Sequence, residues 1–247
     1  MCGRFALTLP PDALRKLFGY EEQPNFPARF NIAPTQPIAI VRATRGDTKP
    51  ARHLALARWA FMPGFVKDPK GFSLVFNARS EGLREKASFR NALHRRRCLV
   101  PADAFYEWHR TGTGRTARSQ AYLCRRADGA TMGLAGLWET WMGPNGEEVD
   151  TACIVTTGAN GVSAAIHPRL PVVVEERDFA RWLDPDEWAT DAAATLLRPP
   201  ENDILTFVPV SEAVNKVDND DARVQVPVGP LLAGDLPQWE EAQPSLF

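Results

Sequence analysis

Residues 121–157 read AYLCRRADGATMGLAGLWETWMGPNGEEVDTACIVTT. Apolar runs near 121–124, 132–138 and 151–157 are separated by two clusters of turn-forming residues. Short apolar runs punctuated by Gly, Asp, Asn and Pro are the mark of consecutive strands rather than helices. The ADG cluster at 127–129 is expected to join the first two strands as a turn. GPNGEE at 143–148 is expected to close a hairpin into the third. The stretch predicts antiparallel sheet.

Upstream, CGRFALT (2–8) alternates weakly and reads as a strand, and PDALRKLFGY (11–20) as a short helix begun by proline. PIAIVRA (37–43) and HLALARWAFM (53–62) read as strands. SFRNALHRRR (88–97) reads as a capped helix whose basic end is favoured at the helix C-terminus. RCLVPADAFYEW (97–108) reads as a strand interrupted by Pro101, hence an edge or a bulge. Downstream, ANGVSAAIH (159–167) is a helical turn and LPVVV (170–174) a strand. ERDFARWLDP (176–185) and DPDEWATDAAATLL (184–197) read as helical, and LTFVPV (205–210) as a last strand. No internal repeat or linker divides the chain. The expectation is one α+β domain over 1–226, with a proline-rich, loop-like tail at 227–247 whose end is expected to be disordered.

The length of 247 residues suits a substantial core. No apolar run approaches the ~20 residues that span a bilayer, and no charged n-region and apolar h-region open the chain. The expected location is the cytoplasm, nucleoid-associated where the protein meets DNA, with no membrane partner. Cys2, Cys98, Cys124 and Cys153 form no CxxC pair and no zinc-like spacing with histidine. Cys98, Cys124 and Cys153 sit in apolar runs and are expected in the core, since free cysteine behaves as a small hydrophobe. Cys2 is the exception.

The net charge of −1 conceals an asymmetry. Residues 79–126 carry twelve Arg/Lys against four Asp/Glu, and residues 171–247 carry five against sixteen. A basic segment suits a polyanion; the alternative reading is that the two segments neutralise one another across the fold.

Several stretches join chemically useful side chains to turns: MCGRF with Cys2 and Arg4, FNIAPTQ with Asn31, FNARSE with Asn77 and Arg79, PADAFYEWH with Glu107, and AAIHPRLP with His167 and Arg169. A thiol, two amides, a carboxylate, an imidazole and three arginines suit acid–base chemistry on an anionic substrate. Spacing alone does not bring them together. Each also has a plain structural reading: Glu107 as a strand-edge carboxylate paired with an arginine, His167 as a turn residue, Asn31 and Asn77 as strand terminators. Trp138 and Trp141 read as core.

MCGRF, NIAPTQ, NARSE, RRRCLVPADAFYEW, AGLWETW, IVTTGAN and IHPRLPVVV occur in that order. Together they resemble the SRAP family (SOS response-associated peptidase), the abasic-site processing proteins, from Cys2 to about Asp221. The resemblance implies a single domain of mainly twisted antiparallel sheets, flanking short helices and a basic DNA groove. It implies removal of Met1 and a covalent link from the exposed Cys2 to abasic sites in single-stranded DNA. It places Asn77, Glu107 and His167 around Cys2, gives Arg4, Arg79 and Arg169 phosphate or sugar contacts, and puts Asn31 near the DNA. In RWAFMPGFVKD, Phe65 stands where the family has a second aromatic, and is expected to stack on a base or wedge at a junction. Gly158 and Leu170 also depart from the pattern; Gly158 is expected to loosen a turn. No metal or organic cofactor is implied, and nothing suggests more than a monomer.

The chemistry follows from the residue types. Abasic deoxyribose is in equilibrium with an open-chain aldehyde. An α-amine of ordinary pKa near ~8 can attack it to give an imine, and a thiol on the neighbouring carbon can close a five-membered thiazolidine. Only an N-terminal cysteine has both groups. Gly3 lets the backbone approach the sugar. Glu107 is the candidate for proton transfer to the amine and departing water, His167 for a shuttle when the ring opens, and Asn77 for holding the amine or a sugar oxygen. Autocatalytic removal of Met1 and a lyase step fit the same site. Two other readings stand beside this one: an N-terminal nucleophile peptidase or amidohydrolase using Cys2, and a single-strand binder that needs only arginines and aromatics.

Overall fold

The computed structural model describes residues 2–45, 50–112, 118–201 and 203–232. In chain order its strands are β1 (Arg4–Leu7), β2 (Arg29–Ile32), β3 (Pro37–Thr44), β4 (Ala51–Trp59), β5 (Asn77–Arg79), β6 (Arg97–Ala102) and β7 (Ala104–Thr111). They continue with β8 (Arg118–Arg126), β9 (Met132–Met142), β10 (Glu148–Gly158), β11 (Arg169–Pro171), β12 (Val173–Val174) and β13 (Leu205–Val210). The α-helices are short: α1 (Pro11–Phe18), α2 (Ala87–Arg95), α3 (Gly161–Ile166), α4 (Phe179–Leu183) and α5 (Thr190–Ala194). None is long and apolar enough to cross a membrane among the described residues.

The strands form two sheets. One is antiparallel throughout, in the order β13-β8-β7-β1-β2. The other runs β11-β10-β4-β3-β6-β9-β12, and because β9 also pairs with β10 its central strands close into a barrel. That pairing is the expected GPNGEE hairpin, with Gly146 at φ 84° in the left-handed conformation such a turn requires. The sheet is mixed, since β10 lies parallel to β4 and β5.

The ADG turn does something the sequence reading did not foresee. The strands it joins, β8 and β9, belong to different sheets. The chain likewise crosses from β6 to β7 at Asp103, not at Pro101. Pro101 sits where β6 has passed beyond its pairing with β3, which covers only Cys98 and Leu99, so its missing N–H costs no ladder bond there. Asp103 ties both crossings together: its carboxylate accepts from Thr8 and from the Leu9 N–H, and from Thr131 Oγ1 at 2.6 Å.

Two further expectations change. The helix at 88–97 begins at Ala87, and Ser88 lies inside its first turn, with no side-chain cap at Lys86. Arg97 is not its basic end but a buried residue of β6, whose guanidinium donates to the carbonyls of Leu93, His94, Trp182 and Asp184. It thereby satisfies helix-end acceptors from the side. Gly158 is extended in β10 opposite Arg169 rather than in a turn.

α1 follows its expected signals, with Pro11 in its first turn and Gly19 closing it at φ 70°. Its buried Phe18 stacks on Phe179 of α4, ring centroids 5.0 Å apart. Cys98, Cys124 and Cys153 are fully buried, as expected. Trp59 meets Phe5 edge-on at 5.1 Å and donates to the Phe76 carbonyl at 2.8 Å, which fixes the entry to β5. Residues 211–225 strap the outer edge of β2. There Asp220 accepts from the Phe30 and Asn31 N–H groups and from Arg29, covering an edge that would otherwise offer free donors. Residues 227–232 run on along β13, with Val228 and Leu232 donating to Pro209 and Phe207; the rest of the expected tail lies outside the described residues.

Candidate active site

The register of β1 against β7 pairs Arg4 with Tyr106 and Phe5 with Phe105. Extending it backwards lays Cys2 beside the segment that carries Glu107. Asn77 arrives from the other sheet at the start of β5, and its Nδ2 donates to the Cys2 carbonyl at 2.8 Å. His167 ends α3 and stands with Nδ1 4.0 Å from Glu107 Oε2. Four residues scattered from position 2 to 167 thus meet where the two sheets come together.

The surroundings are dry and polar groups in them are perturbed. Cys2 is fully buried, with its thiol against the Arg4 carbonyl at 3.8 Å. Burial, and next the charge of Glu107, push the thiol pKa well up. Glu107 is 4% exposed, and burial raises its carboxyl to about 7. Burial takes His167 down to about 4, helped by the nearby cations of Arg110 and Arg169, so its imidazole is neutral near pH 7. Its Nδ1 lies 3.1 Å from the Arg169 N–H and 2.9 Å from the Arg169 carbonyl, which fixes the ring. Asn77 Oδ1 is buried without a hydrogen-bond partner among the described residues. A carboxyl poised to titrate near neutrality beside a thiol is the arrangement general acid–base catalysis uses.

The arginines divide. Arg79 is exposed at the end of β5. Arg169 is largely covered: Nε and Nη2 donate to Oγ1 and O of Thr156 at 3.3 and 2.6 Å, and Nη1 and Nη2 to the Glu81 carboxylate, both at 2.9 Å. Arg4 points inward, donating to Asn31 Oδ1 at 2.9 Å and to the carbonyls of Val214 and Asn215. Asn31 has no exposed surface, and its Nδ2 lies within 3.1 Å of the Val214, Lys216 and Asn219 carbonyls. Arg4 and Asn31 therefore pin the 211–225 strap to β1 and β2. Phe65 is 63% exposed. Its loop is held by Trp141 Nε1 on the Val66 carbonyl at 2.6 Å and by the Met62 N–H on Thr151 Oγ1 at 3.0 Å. Trp141 is core, while Trp138 is half-buried with the Arg42 guanidinium 4.3 Å from its ring centre. Thr156 and Glu81 were missed in the sequence, although Glu81 closes the NARSE stretch.

Part of the basic segment is neutralised within the fold. Arg84, Arg95 and Arg126 pair with Asp191, Glu187 and Glu175 at 2.6, 2.7 and 2.8 Å. Lys86, Arg90, Arg110, Arg118 and Arg125 remain exposed with Arg79.

Fold and site together define an α+β protein whose second residue is a buried thiol flanked by an amide, a carboxyl and an imidazole. The chain belongs to the SOS response associated peptidase (SRAP) family, which it matches over residues 1–217. It is 33% identical to abasic site processing protein YoqW of Bacillus subtilis, over 89% of this chain and 96% of that one. Abasic site processing protein HMCES of Xenopus tropicalis is 29% identical over 89% of this chain and 76% of its own length. A crystal structure of a protein from Bacteroides thetaiotaomicron shares the fold with a TM-score of 0.77 at 21% identity, covering 91% of this chain and 99% of that one.

Proposed function

We propose that this protein shields abasic sites in single-stranded DNA by linking to them covalently through Cys2 after Met1 is removed. The observation that carries the reading is the contact of Asn77 with the Cys2 backbone, beside a Glu107 carboxyl raised to about 7. The named relatives, abasic site processing proteins, point the same way.

The freed amine of Cys2 attacks the sugar aldehyde, forming an N–C bond. The carbinolamine then loses water, to which Glu107 in its acid form gives the proton. The Cys2 sulfur adds to the resulting imine carbon. The Glu107 carboxylate takes the thiol proton and regains its acid form, while the ring nitrogen keeps the hydrogen it carried in the protonated imine, so the product is protein plus DNA less one water. The buried thiol is a poor nucleophile until a base takes its proton, and Glu107 is the base within reach. Neutral His167 receives or returns a proton when the ring opens. Asn77 fixes the Cys2 backbone, and its Oδ1 accepts from the amine or a sugar hydroxyl. Arg79 and Arg169 take phosphates, Phe65 stacks on a base, and Arg4 and Asn31 act through the strap.

Incubation with a uracil-containing oligonucleotide pretreated with uracil-DNA glycosylase should give a species that survives a denaturing gel. Wild-type protein that leaves no such species would overturn the reading.

A further inference from the structure

We propose that Glu81 is a specificity-determining residue: its carboxylate occupies the phosphate-binding fork of Arg169 in the free protein, and a DNA strand binds by displacing it. The inference rests on the functional reading above.

A guanidinium has five N–H donors in a rigid plane, and its two-pronged edge grips carboxylate and phosphate alike. In Arg169 the side edge is taken by Thr156, through Oγ1 and the main-chain carbonyl. Thr156 is itself fixed in β10, in register with Arg79 of β5 and Pro171 of β11. The orientation of Arg169 is therefore set without Glu81. What Glu81 adds is an occupant for the end edge, bidentate at 2.9 Å on both nitrogens. The occupant is also the more exposed partner: its side chain is 58% exposed against 16% for Arg169. It stands on the 3₁₀ turn Ser80–Gly82, immediately after β5.

An incoming anion must therefore compete with a tethered carboxylate, which has the advantage of an intramolecular ligand. One phosphate competes poorly. A strand also engages the exposed Arg79 two residues from Glu81, and so offsets the loss. Glu81 makes the site select a polyanion over single nucleotides.

The test is binding of an intact, fluorescein-labelled single-stranded oligonucleotide, which contains no abasic site, to wild type, Glu81→Gln, Arg169→Ala and the double variant. Glu81→Gln is expected to bind about fivefold tighter, the size of an exposed ion pair. The gain should vanish in the Arg169→Ala background, and a deoxynucleoside monophosphate should compete better against Glu81→Gln than against wild type. Equal or weaker binding by Glu81→Gln, where wild type binds, overturns the inference alone and makes Glu81 a prop for Arg169. Failure of both proteins to bind the strand overturns the functional reading and this inference with it.

Discussion

Two regions of the molecule gather charged and polar side chains, and they do so in opposite ways. On the face where α2 meets residues 184–191, Arg84 and Arg95 pair with Asp191 and Glu187 in side chains half or more exposed. Around Cys2, the thiol, Glu107 and the Asn77 side-chain oxygen are buried, with Glu107 and His167 displaced in pKa in opposite directions. Pairs in water gain little and cost little. Buried polar groups that resist their own ionisation cost stability, and such cost is characteristic of functional sites. The paired arginines of that face thus speak to assembly, and a few displaced groups to chemistry.

The contrast can be broken from either side. The largest effect should come from Glu107→Gln, which removes the proposed base and should slow single-turnover crosslinking by ~10²–10⁴. In wild type the rate should carry an inflection near pH 7, falling where the carboxyl no longer holds the proton that the departing water needs; the variant should lack that inflection. A rate unaffected by the substitution would move the chemistry elsewhere.

Next is the strap. Arg4→Ala leaves buried Asn31 Oδ1 and the Asn215 carbonyl without this donor, and the Val214 carbonyl with Asn31 Nδ2 alone. Denaturant unfolding should register a loss of ~2–4 kcal/mol. A loss below ~0.5 kcal/mol would return Arg4 to the DNA-contact group that the sequence suggested.

A smaller effect follows from linkage. Because the folded pKa of Glu107 is raised, the protein is most stable with that carboxyl protonated in both states, and stability falls as pH rises from the ordinary carboxyl value of 4.5 to about 7, levelling off above it. Relative to wild type, Glu107→Gln should gain ~1–2 kcal/mol between pH 5 and pH 8.5. A constant difference would mean that the carboxyl is not held neutral by burial. Smallest of all, Arg84→Ala should cost ~0.5 kcal/mol or less by the same unfolding measurement, with a substantially larger loss contradicting the account of that face.

Much of the fold could be read from the chain because each strand carries its own apolar run and each turn its own glycine, as at Gly146. What could not be read was partnership. The ADG turn looks like a hairpin whether its flanking strands pair or part company, and nothing local to β10 announces parallel neighbours in β4 and β5. For the site, the residue types around Cys2 suggested the chemistry, but only the sheet register brings Glu107 to Cys2 and only β5 brings Asn77. The inward bonds of Arg4 could not be read, because its motif is visible and its burial is not. Glu81 and Thr156 escaped for the converse reason: their interest lies in holding one side chain, Arg169, which no spacing foretells.

The most direct test of the central claim is the intact mass of the purified protein, alone and after mixing with a single-stranded abasic oligonucleotide. The account predicts a chain lacking Met1 and an adduct equal to protein plus DNA less one water, absent when Cys2→Ala is used. A chain that keeps Met1 and forms no adduct would contradict it at the first step.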